Sequence, residues 1–278
     1  MSRRSHLLII DPQNDFCDLP AAGPEQTPAL PVAGADADMQ RLARLIDAAA
    51  PMLDAITVTL DSHHRLDIAH PGFWRLRDGG PVMPFTPITA ADVRAGSFAP
   101  RDPDALPRTL AYLDELEARG RYTLMVWPVH CEIGSWGHNV HADVRAAYNR
   151  WELSRQQSVA KVLKGSNPWT EHYSAVQAEV PAPDDEGTQL NRALLEDLDR
   201  AELILIAGEA SSHCVKATTE HIVEHLPGGR PERLVLLTDC MSPVGGFEAQ
   251  AEGFLADMKA RGVRLATSIE AAALLSNR

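Results

Sequence analysis

Between residues 202 and 239 the chain reads ELILIAG, then VKATTEHIVEHL a few residues on, then RLVLLTD. The outer two runs are short, almost continuously apolar and rich in Ile, Leu and Val, the pattern of strands buried on both faces. The run between them is amphipathic at helical spacing. Strand, helix and strand in that order form a right-handed crossover, which makes the two strands parallel. The alternation recurs along the chain. HLLIID (6–11), AITVTLD (55–61), YTLMVWP (122–128) and VRLATS (263–268) read as further strands, and 39–53, 190–201 and 248–262 as helices. The expectation is an α/β fold, a mostly parallel sheet covered by helices on both faces.

Two segments break this rhythm. Residues 17–35 are rich in Pro, Ala and Gly and read as an ordered loop or flap. Residues 71–108 carry many prolines and no sustained period, and read as a long surface excursion. With no internal repeat or low-complexity tract, a single domain over 1–278 is expected.

Composition narrows the function class. A net charge of -12 argues against a nucleic-acid or anionic-membrane surface and suits a small-molecule enzyme. No apolar run approaches the length of a membrane helix. The start MSRRSHLLIID is too short in apolar residues for a secretory h-region, so the expected location is cytoplasmic. Cys17, Cys131, Cys214 and Cys240 are widely spaced, without a CxxC, and are expected to be free thiols.

In parallel α/β sheets ligands bind beyond the carboxyl ends of the strands. The residues found there are Asp11, followed by PQNDF; Asp61, followed by Ser62, His63 and His64; His130 in WPVHC; and Cys214 in GEASSHC. Each alone has a bland reading: a cap, a turn, a hydrogen-bonded histidine, a buried thiol. Together they put carboxylates, imidazoles and a thiol on one rim. A thiol at a helix N-terminus meets unpaired amides and the positive end of the helix dipole, which is expected to lower its pKa, and the same amides can bind an oxyanion. AKVLKGSNPWTEHYSA (160–175) adds Lys161 and Lys164, cations able to hold a carboxylate and a thiol in charged form.

The blocks DPQNDF, DSH, WPVHC, KG…YSA and GEASSHCVKAT, in this order, resemble those of the isochorismatase-like cysteine hydrolases, and of their nicotinamidase/pyrazinamidase branch most of all. The resemblance implies a six-stranded parallel sheet and a triad of Asp11, Lys164 and Cys214. It implies an oxyanion hole from the amides of Ala210 and Cys214 beside a cis Glu209–Ala210 peptide, and an aromatic wall of Phe16 and Trp127. In metal-bearing members the matching motifs supply ligands, here Asp61, His63 and His130. His70, nine residues after Asp61, is a further possible ligand or a substrate contact. The ion implied is one divalent metal, zinc, iron or manganese. The activity implied is hydrolysis of nicotinamide or a similar aromatic carboxamide to acid and ammonia through a cysteine thioester. The alternatives are the same chemistry on a carbamoyl or ureido amide, and a non-catalytic binding protein. The partners expected are a small-molecule amide and further copies of the chain in a homo-oligomer, with neither nucleic acid nor membrane. The chain departs from the pattern in the 71–108 excursion and in Val176 after YSA, and its long loops suit a substrate larger than a pyridine ring.

Overall fold

The segments Ser5–Ile10 and Leu203–Gly208 are buried at every position. Residues hidden on both faces belong in the middle of a covered sheet, and that is where the computed structural model, which describes residues 4–277, places them. In chain order the strands are β1 (Ser5–Ile10), β2 (Ala55–Asp61), β3 (Trp74–Leu76), β4 (Thr86–Ile88), β5 (Phe98–Pro100), β6 (Leu124–Val126), β7 (Ala160–Lys164), β8 (Leu203–Gly208), β9 (Leu234–Leu237) and β10 (Arg264–Ala266). The α-helices are α1 (Ala35–Ala49), α2 (Ala90–Arg94), α3 (Leu106–Arg119), α4 (Ala142–Arg155), α5 (Arg192–Asp199), α6 (Cys214–His225), α7 (Glu248–Ala260) and α8 (Ser268–Ser276).

Six strands form one sheet in the order β10-β9-β8-β1-β2-β7, every neighbouring pair parallel. Helix α1 packs on α4 and α8, and α6 on α7, so helices flank the sheet. The α/β expectation therefore holds, with one strand exchanged. The run at 122–128 forms only the three-residue β6, which pairs antiparallel with β4 outside the main sheet. The sixth sheet member is β7, AKVLK, whose first four residues are exposed or half-buried and whose last, Lys164, is buried. An apolar run shows that a segment is buried, not which partner it pairs with, and an edge strand need not be apolar at all.

The excursion at 71–108 is ordered. Strands β3 and β5 pair antiparallel, and Thr89 caps α2 in a reciprocal capping box with Asp92. Phe73, Trp74, Ile88, Val93, Leu113 and Leu124 close a second apolar core, separate from the one around the sheet. The Trp74 indole N–H, buried there, donates to the Ile68 carbonyl. No helix among the described residues is long and apolar enough to cross a membrane.

Candidate active site

The carboxyl ends of β1, β2 and β7 and the N-terminus of α6 converge on one buried ammonium group. Lys164, the last residue of β7, pairs in register with Asp61, the last of β2. Its Nζ lies 2.9 Å from Asp61 Oδ1 and 2.9 Å from Asp11 Oδ2. It also donates to the His172 carbonyl at 2.9 Å and stands 3.6 Å from Cys214 Sγ. Lys164 is 2% exposed and Asp11 is fully buried. Two carboxylates around one ammonium offset its burial, and the lysine is held well above its ordinary pKa.

Asp11 leaves β1 with a left-handed backbone, φ 45°. Its Oδ1 accepts a 2.5 Å hydrogen bond from the Thr59 hydroxyl, while the Asp11 amide donates to the same Thr59 oxygen at 3.0 Å. Burial raises its pKa, against the pull of Lys164. The Cys214 thiol differs from the expectation of a lowered pKa. Burial pushes it well above the ordinary thiol range, Lys164 pulls it down, and the Asp11 and Asp61 charges push it up again. Burial and two neighbouring carboxylates together favour the protonated sulfur. The resting sulfur is a thiol, and an acceptor for its proton stands next to it in Asp11.

The loop from β8 to α6 carries the cis Glu209–Ala210 peptide. The Ala210 carbonyl accepts from the amides of His213 and Val215. The amides of Ala210 and Cys214 find no acceptor among the described residues, which leaves both free for an incoming oxyanion.

Beside the lysine lies a cluster of three buried imidazoles. His63, His70 and His130 each offer a ring nitrogen within 4.8 Å of the others. Asp61 Oδ2 is 3.1 Å from His63 Nε2 and 3.3 Å from His130 Nε2. The outer nitrogens set the tautomers. His63 Nδ1 is bonded to Asp67 Oδ2 at 3.0 Å, and His130 Nδ1 to the Pro128 carbonyl at 2.8 Å. A carboxylate and a carbonyl only accept, so both histidines donate from Nδ1 and turn Nε2 toward the Asp61 carboxylate, a contact that a proton or a cation must bridge. His70 Nδ1 is buried with no partner among the described residues. Burial works against an imidazolium at His63, yet Asp61 and Asp67 hold its pKa well above the ordinary value, so the field at this point favours positive charge. Imidazole nitrogens that face a shared carboxylate, with an orphaned nitrogen beside them, fit a divalent metal in place of those protons. His70 thus joins the cluster on the same footing as His63 and His130. Asp67 went unnoticed in the sequence because one more Asp in a polar loop carries no distinguishing signal.

Phe16, Leu30, Trp127, Tyr173, Ala210, His213 and Val244 line a narrow pocket that reaches Cys214, Asp61, His130 and Glu171. The aromatic wall of Phe16 and Trp127 is present, and Leu30 brings the 17–35 loop against it. Tyr173 was missed, although it stands in the YSA block; its hydroxyl accepts from the Trp127 indole at 2.9 Å. His213, missed too, stands edge-on to Trp127 at 5.1 Å. Lys161 and His64 lie apart from the site. The Lys161 ammonium sits over the Tyr148 ring at 4.8 Å, and His64 is exposed. Val176 is fully buried in the main core and lines no part of the pocket. The four cysteines are free and buried.

No protein-family model matches the chain, and no curated protein matches it in sequence. Solved structures do match in backbone. A nicotinamidase/pyrazinamidase from Acinetobacter baumanii has a TM-score of 0.64 at 19% identity, covering 97% of this chain and 99% of its own. A yeast nicotinamidase bound to the inhibitor nicotinaldehyde has a TM-score of 0.63 at 19% identity, with 95% and 99% covered. A pyrazinamidase from Pyrococcus horikoshii in complex with zinc has a TM-score of 0.53 at 20% identity, again with 95% and 99% covered. The chain thus has the isochorismatase-like α/β fold, in the form that nicotinamidases and pyrazinamidases take.

Proposed function

We propose that the protein is a cysteine amidase that hydrolyses a small aromatic carboxamide to the carboxylic acid and ammonia. The observation that carries this reading is the single buried ammonium of Lys164, in contact with Asp11, Asp61 and the Cys214 thiol together. A structural ion pair needs no thiol, and an inert buried thiol needs no carboxylate beside it.

The flat ring enters between Phe16 and Trp127 and sets its carboxamide carbon against Cys214 Sγ. Asp11 takes the thiol proton, Lys164 holds the resulting charges, and sulfur adds to the carbonyl carbon. The amides of Ala210 and Cys214 receive the oxyanion; losing one such donor typically costs about 3 kcal/mol. Asp11 then passes its proton to the amide nitrogen, the C–N bond breaks, ammonia leaves, and a thioester remains. Water adds to the thioester as Asp11 takes one of its protons. The C–S bond breaks, the acid departs, and the proton returns to sulfur.

Asp61, His63, His70 and His130 would hold a divalent metal. Bound there, such an ion supplies a Lewis acid and a docking point for a ring nitrogen or a water. The zinc in the Pyrococcus horikoshii pyrazinamidase supports this reading. Phe16 and Trp127 exclude bulk water and fix the ring plane, and Lys164 keeps Asp11 oriented. The pocket suits one small ring better than a carbamoyl or ureido compound, which would leave the aromatic wall without a partner.

The test is ammonia release from nicotinamide by the purified enzyme and by Cys214→Ala, with metal content measured on both samples. Release that the variant loses by at least about 1,000-fold, with about one metal per chain in each sample, is the expected outcome. Equal release from both proteins would remove Cys214 from the mechanism.

A further inference from the structure

Phe85, in the 71–108 excursion, meets Trp127, an aromatic that lines the candidate pocket. The antiparallel ribbon of β4 and β6 ends with Thr86 opposite Val126, and Phe85 and Trp127 are the residues just beyond that end. The Phe85 amide donates to the Val126 carbonyl at 2.6 Å, which holds Phe85 against the end of β6. The two rings meet edge to face with centroids 5.8 Å apart. Trp127 also touches Phe247 at 6.0 Å, from the loop between β9 and α7. Trp127 is 3% exposed and lines the pocket, whereas Phe85 is 50% exposed. The row therefore runs from the pocket wall out to solvent.

Folding alone gives no reason for a phenylalanine here. Its φ of 63° lies in the left-handed region, where a bulky side chain is an outlier and Gly or Asn sits more easily. Any residue but proline would make the same amide bond to Val126. Half the ring stays in water, so its apolar burial is incomplete. A large aromatic held at an unfavourable dihedral, half exposed, against an aromatic of the pocket wall has the character of a contact surface.

We propose that Phe85, with Trp127 and Phe247, forms a second aromatic subsite at the pocket mouth that receives a ring fused or appended to the carboxamide-bearing ring. The substrate class would then be bicyclic or aryl-extended carboxamides. This rests on the amidase reading above, and the experiment separates the two.

Ammonia release is measured for nicotinamide and for quinoline-3-carboxamide, which keeps the pyridine and adds a fused ring. The enzymes are wild type, Phe85→Ala and Phe85→Gly, the last of which suits the backbone at this φ. The proposal expects kcat/KM for the quinoline to fall at least about 5-fold in both variants, mainly through KM, with nicotinamide changed less than about 2-fold. Equal losses on both amides would reduce Phe85 to a support for Trp127. A gain on the quinoline would make it a barrier at the mouth. Either result overturns the subsite. In parallel, protection of Cys214 from iodoacetamide is titrated with pyridine-3-carbaldehyde and quinoline-3-carbaldehyde, each of which adds the thiol across its C=O bond. If no amide is hydrolysed, the amidase reading falls. The subsite then stands only if quinoline-3-carbaldehyde protects better in wild type and loses that advantage in both variants. No protection by either aldehyde overturns it as well.

Discussion

At Lys164 the chain buries a charge that only its neighbours make tolerable. Its ammonium is shared between Asp11 and Asp61, and all three side chains are at most 5% exposed. Removing one member of a buried charge cluster typically costs about 3–5 kcal/mol, because the others stay buried without compensation. Lys164→Met keeps the length of the stem and deletes the charge. It should lower the urea midpoint by that order while abolishing ammonia release, and an unchanged midpoint would show the carboxylates compensated from elsewhere. Glu179 is a different case. It is 3% exposed, Arg121 approaches its Oε2 only to 3.9 Å, and its Oε1 has no partner among the described residues. Burial raises its pKa to about 7, against the pull of Arg121. Between its ordinary value of 4.5 and 7 the folded state keeps a proton that the unfolded chain has released. Stability therefore falls as pH rises through that window, by about 3 kcal/mol in all. Glu179→Gln should flatten this slope. Urea midpoints at pH 5 and 8 should converge in the variant and differ in wild type; equal slopes in both proteins would discard the assignment.

At the level of elements, the ends of β1 and β8 that carry the candidate site depend on how closely the two strands approach. Gly208 closes β8 opposite Ile10 at φ 120°, and a Cβ there would lie 1.9 Å from the Ile10 carbonyl oxygen. A flexible side chain can yield to such a clash; a backbone carbonyl in a parallel ladder cannot. Gly208→Ala should cost at least about 3 kcal/mol and move the Ala210 amide out of place, so urea midpoint and kcat should fall together. A variant that folds and turns over normally would mean the strands part without consequence. This close approach leaves only a Gly in the sequence, whereas the strands themselves are plain in it: HLLIID, AITVTLD, ELILIAG and RLVLLTD are apolar because the sheet covers them on both sides. Strand β7 was hidden for the opposite reason. As an edge strand it needs no apolar face, and AKVLK reads as a solvated segment until Asp61 and Lys164 are seen in register. The excursion was hidden because its prolines and glycines punctuate three-residue strands too short to show a period. Of the candidate site, the residues at strand ends were legible, since topology alone brings strand ends together. Tyr173 and Asp67 were not, because they reach the site through loops whose course no periodicity foretells.

Across the whole molecule, the imidazole cluster is where the two apolar cores meet. Asp61 ends β2 of the main sheet and His63 follows it, His130 follows β6 of the second core, and His70 immediately precedes the excursion. The Trp127 amide donates to the Ala69 carbonyl at 2.7 Å, and the Ile133 amide to the His63 carbonyl at 3.0 Å, so these segments already touch through their backbones. A metal held by Asp61, His63, His70 and His130 would join them by bonds that the unfolded chain cannot offer. Binding confined to the folded state stabilises it by RT ln(1 + [L]/Kd), about 4 kcal/mol at a thousandfold excess over Kd. Stripping the metal with a chelator should therefore lower the melting temperature and restoring zinc should recover it. His63→Ala should melt low and respond to neither treatment. Because His70 and His130 both belong to the excursion side, loosening should concentrate there, and limited proteolysis of the stripped protein should cut first within 71–108. First cuts in the 17–35 loop instead, with 71–108 intact, would show that the second core stands without the ion and that the cluster serves the pocket alone.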